Sequence, residues 1–406
     1  MISFEQARQV ILENSSPVGV EQVSLLHSVG RVLAQDMLAP WDMPLWDNSA
    51  MDGYAVRSAD CRQTPCTLEV TGYIPAGAKE DGIVVQPGCA VRIMTGAPTP
   101  TGCDAVVPVE DTDDGQSTVT LMQSVEKGQH VRVRAEDVAA GDTFVRAGAI
   151  VRPPEINMLA TFGKSLVSVY RRPVVAILST GDELIELGTT PGPGEIINSN
   201  ALSLAAAVAE TGCVPLIIGI ARDNRESHLE KLGEGLKADA LITSAGVSAG
   251  DRDLVREVLA ELDAKQIFWK VGIKPGGPTA FALFGTKPVF SLPGNPVSTM
   301  ITFEEFVRPA LLKMLGHQQV LRPLFKAVLR QAIRKKAGKV QIVRVKLERE
   351  AGRWFASSAG NQQTAILRTM VAAQALAVLP AASEYFAEGA EVEVHFFGNY
   401  CDRVAG

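Results

Sequence analysis

Hydrophobic and polar positions follow three different patterns along the chain. Near the N-terminus, Ser3 and Gln6 have the spacing of a capping box ahead of apolar positions at helical spacing, which predicts a short amphipathic helix. From about residue 40 to residue 134, short β-type runs such as Ala90–Met94 and Ala105–Val109 are separated by Gly, Pro and Asp turns. This second pattern predicts a small β-barrel.

The segment from Arg172 to Gly316 alternates apolar runs with helical patterns. The predicted strands are Val174–Leu178, Val214–Ile220, Ala240–Thr243, Ile267–Val271 and Val289–Leu292. The predicted helices are Ser199–Glu210, Ser227–Leu236, Asp253–Leu262 and Pro296–Leu315. Strands that are apolar throughout, and that alternate with helices, predict a mostly parallel sheet covered by helices on both faces.

The third pattern begins after Pro323. Apolar residues there occupy every second position in segments such as Val343–Leu347 and Val392–Phe396, which predicts a C-terminal β domain. A further helix is predicted at Pro154–Thr161. The fold class is therefore multidomain, α/β plus β. The predicted domains are an N-terminal domain of residues 1–40 and 137–172, an inserted β-barrel of residues 41–136, a doubly wound α/β domain of residues 173–317 and a C-terminal β domain of residues 318–406.

The composition narrows the functional classes. With 406 residues, 46% of them hydrophobic and 21% charged, the chain is neither disordered nor collagen-like. Its net charge of −6 argues against nucleic acid or an anionic membrane as a partner. No apolar run approaches the roughly 20 residues of a membrane span, and the N-terminus lacks an apolar signal segment. The six cysteines have no Cys-x-x-Cys spacing, which predicts free thiols and a cytoplasmic protein.

The loops after the predicted strands carry most of the candidate chemistry, because ligands bind beyond the carboxyl ends of parallel strands. The glycine-rich loops Gly246–Gly250 and Gly294–Pro296 precede helices, and their backbone N–H groups suit phosphate or another oxyanion. Acidic residues follow the same strands: Asp182, Glu183, Asp223, Asp251 and Asp253. Carboxylates beside a phosphate site suit Mg²⁺, although Asp251 or Asp253 could instead cap its helix.

The motifs of several common enzyme classes are missing. The sequence has no Gly-x-x-x-x-Gly-Lys-Ser/Thr and no Gly-x-Gly-x-x-Gly, and its five histidines lack metal-ligand spacing. Phosphate would therefore bind through another geometry. Turn-forming groups and two carboxylates concentrate at Asp47–Ala55, a pattern that by itself predicts an Asx or Ser turn.

Five segments resemble the signature segments of the molybdopterin molybdenumtransferases, the MoeA and gephyrin E-domain family. They are Asp47–Ala55 (DNSAMDGYA), Arg92–Pro98 (RIMTGAP), Ser179–Leu184 (STGDEL), Ile273–Gly276 (IKPG) and Leu292–Ser298 (LPGNPVS), in this order over nearly the whole chain. The resemblance implies an elongated N-terminal domain with an inserted β-barrel, an α/β molybdopterin-binding domain and a C-terminal β domain. It also implies a homodimer, with the active cleft between the α/β domain of one subunit and the N-terminal half of the other.

The implied activity is insertion of molybdenum from molybdate into adenylylated molybdopterin, with Mg²⁺-dependent cleavage of the adenylate and release of AMP. The implied catalytic acids are Glu183, Asp223 and Asp253, which would hold Mg²⁺, together with Asp52 and Asp137 from the partner subunit. The implied substrate-binding residues are Thr95, Arg134, Gly246, Ser248, Lys274, Pro275, Gly294, Asn295, Pro296 and Arg344. Molybdenum would be held by the dithiolene sulfurs of the pterin, and an adenylylating protein would hand over the substrate.

Three positions depart from the family's pattern. Gly277 stands where many members have the second lysine of Lys-Pro-Gly-Lys-Pro, Ala245 replaces a glycine of Gly-Gly-Val-Ser, and Ala135 replaces the glycine of Arg-Gly-Glu-Asp. Loss of one ammonium group beside an oxyanion predicts binding weaker by ~1–3 kcal/mol. A Gly277→Lys substitution is therefore expected to improve molybdate use.

Two other functions fit part of the sequence. A non-catalytic pterin-binding or scaffold protein would explain the altered anion loops, but an enzyme is favoured by four retained acids: Asp52, Glu183, Asp223 and Asp253. A hydrolase of another nucleotide anhydride, resembling the nucleotide pyrophosphatases, would use a similar α/β domain, but the Asp47–Ala55 segment favours the molybdenumtransferase. The sequence does not separate molybdate from tungstate, nor a metal ligand from a base among the acids.

Overall fold

The chain forms two compact units. The computed structural model describes residues 1–79, 82–245 and 254–398. The first unit combines residues 1–34, 148–151 and 167–406, and the second combines residues 35–147 and 152–166. Within the described ranges, no helix has the length and apolar character needed to cross a membrane. The predicted boundaries of the four domains stay a prediction.

The first unit begins with the helix predicted from the capping-box pattern. Helix α1 spans Phe4–Glu13; the Ser3 hydroxyl accepts the Gln6 N–H, and the Gln6 side chain accepts the Ser3 N–H. The predicted capping box is confirmed. Its apolar face is buried through Phe4, Ala7 and Ile11. Strand β1 (Val20–Ser24) follows.

The second unit holds the predicted inserted β-barrel. Its elements are β2 (Met37–Leu38), β3 (Asn48–Ser49), β4 (Gly53–Val56), β5 (Cys66–Ile74), β6 (Cys89–Ile93), β7 (Ala105–Pro108), β8 (Thr118–Leu121), β9 (Val131–Arg132), β10 (Thr143–Val145) and the helix α2 (Pro153–Thr161). Five strands pair in the order β7-β4-β6-β5-β8. At Gly53, a Cβ would lie 1.9 Å from the carbonyl oxygen of Val107, so the DNSAMDGYA segment requires glycine there.

The α/β part of the first unit is doubly wound, as predicted. Strand β11 (Leu166–Tyr170) precedes this part and pairs with β1. The elements of the α/β part are β12 (Val174–Thr180), β13 (Leu184–Ile185), β14 (Ile196–Ile197), α3 (Ser199–Glu210), β15 (Val214–Ala221), α4 (Arg225–Gly235), β16 (Ala240–Ser244), α5 (Leu254–Glu261), β17 (Lys265–Phe268), β18 (Ile273–Lys274), β19 (Ala280–Phe284), β20 (Lys287–Leu292), α6 (Pro296–Thr302) and α7 (Arg308–Met314). Six strands pair in the order β15-β12-β16-β20-β19-β17. On β12, Val175 and Ile177 enter the core with α3 and α7, whereas Ala176 and Leu178 enter the core with α4 and α5. Both faces of the sheet are therefore covered.

The sequence analysis missed two features of this part. Strand β19 was not predicted; it pairs antiparallel with β20 and β17, so only β15, β12, β16 and β20 are mutually parallel. The predicted helix Pro296–Leu315 is divided by a π-helical turn at Phe303–Val307, between α6 and α7. A π-turn changes the helical spacing by one residue, which a pattern with a 3.6-residue period does not show.

The C-terminal part is a β domain, as predicted. Its elements are β21 (Phe325–Leu329), β22 (Ile333–Arg334), β23 (Val340–Glu350), β24 (Arg353–Ser358), α8 (Arg368–Ala372), β25 (Ala375–Leu379), β26 (Tyr385–Phe386) and β27 (Glu391–Phe396). Strand β25 pairs with both β27 and β23, so β23, β24, β21, β27 and β25 close into a ring. The predicted fold class is confirmed.

A buried ion-pair cluster of Arg8, Glu305 and His395 joins α1, the π-turn and β27. The Glu305 carboxylate accepts a bond of 2.5 Å from the Arg8 guanidinium and lies 2.9 Å from Nε2 of His395. Glu305 and His395 are almost completely buried. Burial alone would lower the pKa of His395, but the hydrogen bond and charge of Glu305 raise it above its ordinary value.

Candidate active site

The candidate site is a cavity of about 420 Å³ at the carboxyl ends of the parallel strands. Its polar lining comes from the ends of β12, β16 and β20 and from the start of α3. The residues that line the cavity include Ser179, Glu183, Asn198, Asn200, Ser244, Gly294, Asn295 and Pro296. The prediction that Glu183 and the Gly294–Pro296 loop share one site therefore agrees with their positions.

The Glu183 carboxylate lies directly over Gly181. The backbone of Gly181 has a φ of +140°, and a Cβ there would lie 2.4 Å from Oε2 of Glu183. A φ of +140° is adopted freely by glycine and rarely by other residues, which explains the glycine in the Ser-Thr-Gly-Asp-Glu order of this loop. Within the described ranges, the Glu183 carboxylate is exposed and has no hydrogen-bond or ion-pair partner. It is therefore free to bind a ligand.

Two hydrogen bonds tie the loop after β12 to the loop after β15. The Asp182 carboxylate accepts the Asp223 N–H at 3.0 Å, and the Asp223 carboxylate accepts the Asp182 N–H at 3.4 Å. The Arg222 guanidinium adds a bond of 3.0 Å to the carbonyl of Leu184. These bonds hold Glu183 and Asp223 at one edge of the sheet. Asp182 therefore has a positioning role that the sequence analysis did not assign.

The carboxylates fit the ligand preferences of Mg²⁺, which binds oxygen and often uses only one or two protein carboxylates beside substrate phosphates. Among the described residues, no group of three His, Cys, Asp or Glu side chains could hold a metal ion alone. Gly246, Ser248 and Asp253, three of the predicted site residues, lie outside the described residues. Glu183 and Asp223 are predicted metal ligands that lie within the described residues, and their role as ligands stays a prediction.

Two lysines, Lys274 and Lys339, belong to the segments around the Gly277 loop. Lys274 is exposed at the end of β18 and is followed by a cis Pro275 peptide. Strand β18 pairs with the start of β23, and Lys339 directly precedes that start. The Lys339 Nζ lies 3.6 Å from the position that a Cβ of Gly277 would occupy. A cation therefore lies beside the position where this chain lacks the family's second lysine.

Both alanines that depart from the family's pattern have left-handed backbone conformations. Ala245 has a φ of +77° and Ala135 a φ of +63°. Glycine adopts this conformation freely, whereas a residue with a Cβ loses ~1–2 kcal/mol. At Gly294, an added Cβ would lie only 3.1 Å from the Cβ of Ala245. The methyl group of Ala245 thus borders the Gly294 loop.

The predicted residues of the N-terminal half lie in the second unit. Asp52 accepts both the N–H and the hydroxyl of Thr95 at 2.7 Å, and these hydrogen bonds hold the pKa of Asp52 below its ordinary value. Arg134 Nε donates to Asp42 at 2.5 Å. Asp137 is exposed on the wall of a separate cavity of about 450 Å³. Asp52 and Thr95 are therefore in contact, as predicted.

Comparisons with known proteins agree with this geometry. The MoeA N-terminal region (domain I and II) matches residues 2–163, the probable molybdopterin binding domain matches residues 176–313, and the MoeA C-terminal region (domain IV) matches residues 326–397. Molybdopterin molybdenumtransferase 2 of Mycobacterium tuberculosis is 38% identical over 404 residues, which cover 97% of this chain and 99% of that protein. The chain belongs to the MoeA family of molybdopterin molybdenumtransferases.

Other members of the MoeA family are similar over most of their length. The molybdopterin molybdenumtransferase of Nostoc is 38% identical over 384 residues, 92% of this chain and 88% of that protein. The crystal structure of the molybdopterin biosynthesis MoeA protein from Pyrococcus horikoshii superimposes with a TM-score of 0.85 at 29% identity. It covers 98% of this chain and 100% of that chain.

Arg344 has an unusual environment for an expected substrate-binding residue of a MoeA-family protein. Its side chain is completely buried in β23, and Nη2 donates weakly to the carbonyls of Asn361 and Gln363 at 3.3 and 3.4 Å. Nε and Nη1 have no partner within the described ranges. Burial lowers the pKa of the guanidinium. Arg344 is not among the residues that line the 420 Å³ cavity.

Sequence reasoning missed Asn198, Asn200 and Lys339. Asn198 immediately precedes a helix that was predicted with its observed bounds, so its side chain could have been recognised as an N-cap. Asn200 and Lys339 carry no comparable signal, because their positions depend on contacts with Gly294 and Gly277, distant in sequence.

Proposed function

We propose that this chain inserts molybdenum from molybdate into adenylylated molybdopterin and releases AMP, in the biosynthesis of the molybdenum cofactor. Family membership supports a molybdopterin-linked transferase. The observation that carries the finer proposal is the free Glu183 carboxylate, held with Asp223 beside a cavity bordered by the Gly294 loop. Cleavage of an anhydride requires such an arrangement of acids near phosphate oxygens.

The chain's own residues would divide the work. Glu183 and Asp223, with Asp253, would hold Mg²⁺, which would offset the charge on the phosphate oxygens. Lys274 would bind the anionic substrate, and the Gly294–Pro296 loop would contact the phosphate. The Asn295 side chain makes no capping bond to its own helix, so its amide is available to a ligand. Molybdate is the substrate in this scheme, and the dithiolene of the pterin would receive the molybdenum.

Two partners belong to this proposal. A second copy of the chain would complete the active cleft with Asp52 and Asp137, whose exposed carboxylates have room for a ligand. The hydrogen bonds from Thr95 would keep Asp52 ionised at the pH of the reaction. An adenylylating protein would deliver the substrate.

The deciding experiment measures AMP release from adenylylated molybdopterin by the purified full chain, with and without Mg²⁺, molybdate and tungstate. Release that requires both the metal and an oxyanion supports the insertase and identifies its oxyanion. Release without any oxyanion would instead indicate an anhydride hydrolase. Tight binding of adenylylated molybdopterin without AMP release would indicate a non-catalytic pterin-binding protein. The strained backbone of Ala245 and Ala135 favours that alternative.

A Lys339→Ala substitution is expected to raise the molybdate concentration for half-maximal AMP release by about tenfold, the effect of one lost charge-assisted contact. The reason is the position of the Lys339 Nζ, 3.6 Å from the site of a Gly277 Cβ. Gly277→Lys in the same variant should restore the value, because its side chain starts beside the position of the lost Lys339 ammonium and supplies another. Lys336→Ala removes a nearby exposed charge and serves as the control. Equal effects of the two alanine variants would contradict a local role for Lys339.

A further inference from the structure

We infer that Asn198 and Asn200 recognise one edge of a flat heterocycle that binds in the 420 Å³ cavity. On that edge of the heterocycle, a hydrogen-bond acceptor lies beside a donor. The inference rests on the proposed function only for the identity of the heterocycle, which is either the pterin or the adenine of the adenylylated substrate. Both rings carry such an edge: the pterin has a C=O beside an N–H, and adenine has a ring nitrogen beside an amino group.

Asn198 offers an unused donor. Its Oδ1 caps α3 by accepting the N–H of Ala201 at 3.3 Å, and it also accepts the Ser179 hydroxyl at 2.8 Å. The backbone N–H of Ala201 can only donate, so the orientation of the amide is determined. The remaining group, Nδ2, has no partner within the described ranges. Asn198 is only 4% exposed, and it lines the cavity.

Asn200 offers an unused acceptor. Its Nδ2 donates to the carbonyl of Gly294 and to the Ser244 hydroxyl, both at 2.8 Å. A carbonyl can only accept, so this amide is also oriented, and its Oδ1 has no partner within the described ranges. Asn200 lines the same cavity as Asn198.

Unpaired polar atoms of this kind require an explanation, because buried donors and acceptors in native proteins nearly always have a partner. In the part of the chain that the structure describes, six buried side-chain nitrogen or oxygen atoms lack one, and two of the six belong to these asparagines. A ligand that accepts from Asn198 and donates to Asn200 would satisfy both atoms.

The walls of the cavity favour a flat ring over a free oxyanion at this end. Leu184, Ile197 and Pro278 line it beside the two amides. Aliphatic surface of this kind packs against the face of an aromatic ring, while a few placed polar groups orient it. A phosphate, in contrast, accepts only, and would leave the Asn200 oxygen without a donor.

The test is the Asn198→Asp substitution in the full chain. Aspartate preserves the capping oxygen of α3, because Asn and Asp cap helices about equally well, but it replaces the donor with a second acceptor. The probes are 6-hydroxymethylpterin, followed by its own fluorescence, and AMP, which competes with it or is measured by calorimetry. Both are used without metal or molybdate, so that binding is measured apart from turnover.

We expect Asn198→Asp to weaken binding of one of the two rings by at least about tenfold. The reason is the loss of one hydrogen bond, which also leaves a buried group unpaired. Selective loss of the pterin or of AMP identifies the ring. The matched control is Asn224→Asp, the same exchange at the N-cap of α4, where the side chain caps through Ser227. It should bind both probes as the unmodified chain does.

Unchanged affinity for both rings in Asn198→Asp would overturn the inference, as would failure of the unmodified chain to bind either ring. Asn198→Ser, which also keeps a capping oxygen and removes the donor, replaces Asn198→Asp if the charge prevents folding. The outcomes also separate the two proposals. A chain that binds a ring through Asn198 but releases no AMP refutes the insertase and retains the recognition site.

Discussion

Replacement of Glu183 by glutamine is expected to lower Mg²⁺-dependent AMP release by about a thousandfold, since loss of a metal-binding carboxylate removes several kcal/mol of charge stabilisation. Glutamine has the same shape over Gly181 but no negative charge, so the loop should keep its conformation. The rate is measured at saturating substrate across a range of Mg²⁺ concentrations. If a high Mg²⁺ concentration restores part of the lost rate, the substitution has lowered the affinity for the metal.

Glu186→Gln is the matched control for this change, because it removes a carboxylate three residues away that is exposed and outside the cavity. It should leave the rate within about twofold of the unmodified chain, as is usual for a surface substitution. An unchanged rate in Glu183→Gln would remove Glu183 from the metal site. The negative charge held over Gly181 would then need another explanation.

The second large effect concerns stability. Glu305→Gln is expected to lower the free energy of unfolding by about 3 kcal/mol, because it breaks a buried ion pair. This value is the lower end of the usual range, since His395 can release its proton when its partner is lost. Arg8 cannot do so and would keep an unpaired charge. The free energy is measured by urea unfolding near pH 6. The matched control is Glu391→Gln, which breaks the exposed ion pairs with Lys326 and Arg353 and should change the free energy of unfolding by less than about 1 kcal/mol.

The same cluster predicts how stability changes with pH. The pKa of His395 in the folded chain is raised above its ordinary value of 6.5 by Glu305, so its contribution is fully present below pH 6.5 and is lost as pH rises through the raised pKa. Burial would raise the pKa of Glu305, but His395 and Arg8 hold that pKa below 4.5. The contribution of Glu305 to stability is therefore lost only as pH falls through its lowered pKa. Glu305→Gln should therefore flatten the decline in stability above pH 6.5. A decline as steep as in the unmodified chain would contradict the assignment to His395.

The parts of the fold that were predictable are those with strong local patterns. Helix α3 was predicted at its observed bounds, because its apolar residues have helical spacing and this pattern ends just before a Thr-Gly pair. Strand β12 was predicted because its residues are apolar on both faces. Strand β19 was missed because Ala280–Phe284 is a short apolar run between loops, and its antiparallel pairing with β20 depends on a hairpin at Gly285. The direction of a strand is a tertiary property that such a run does not encode.

The candidate site was predictable only as a set of loops. Glu183 and Gly294 line one cavity, and the sequence could bring them together because each follows a strand of the same parallel sheet. The free atoms of Asn198 and Asn200 could not be predicted, since they become apparent only once the partners of the other amide atoms are known. The position of Lys339 depends on the pairing of β23 with β18, elements far apart in sequence.

Helix α1 is synthesised long before the segment that covers it. Its Arg8 bonds to Glu305, 297 positions later in the chain. At a ribosomal rate of about 5–20 residues per second, that segment takes roughly 15–60 s to appear. A ten-residue helix is marginal in water, so the apolar face of α1 would be exposed to chaperones and to neighbouring nascent chains throughout that interval. The burial of α1 thus depends on a segment that is synthesised nearly 300 residues later.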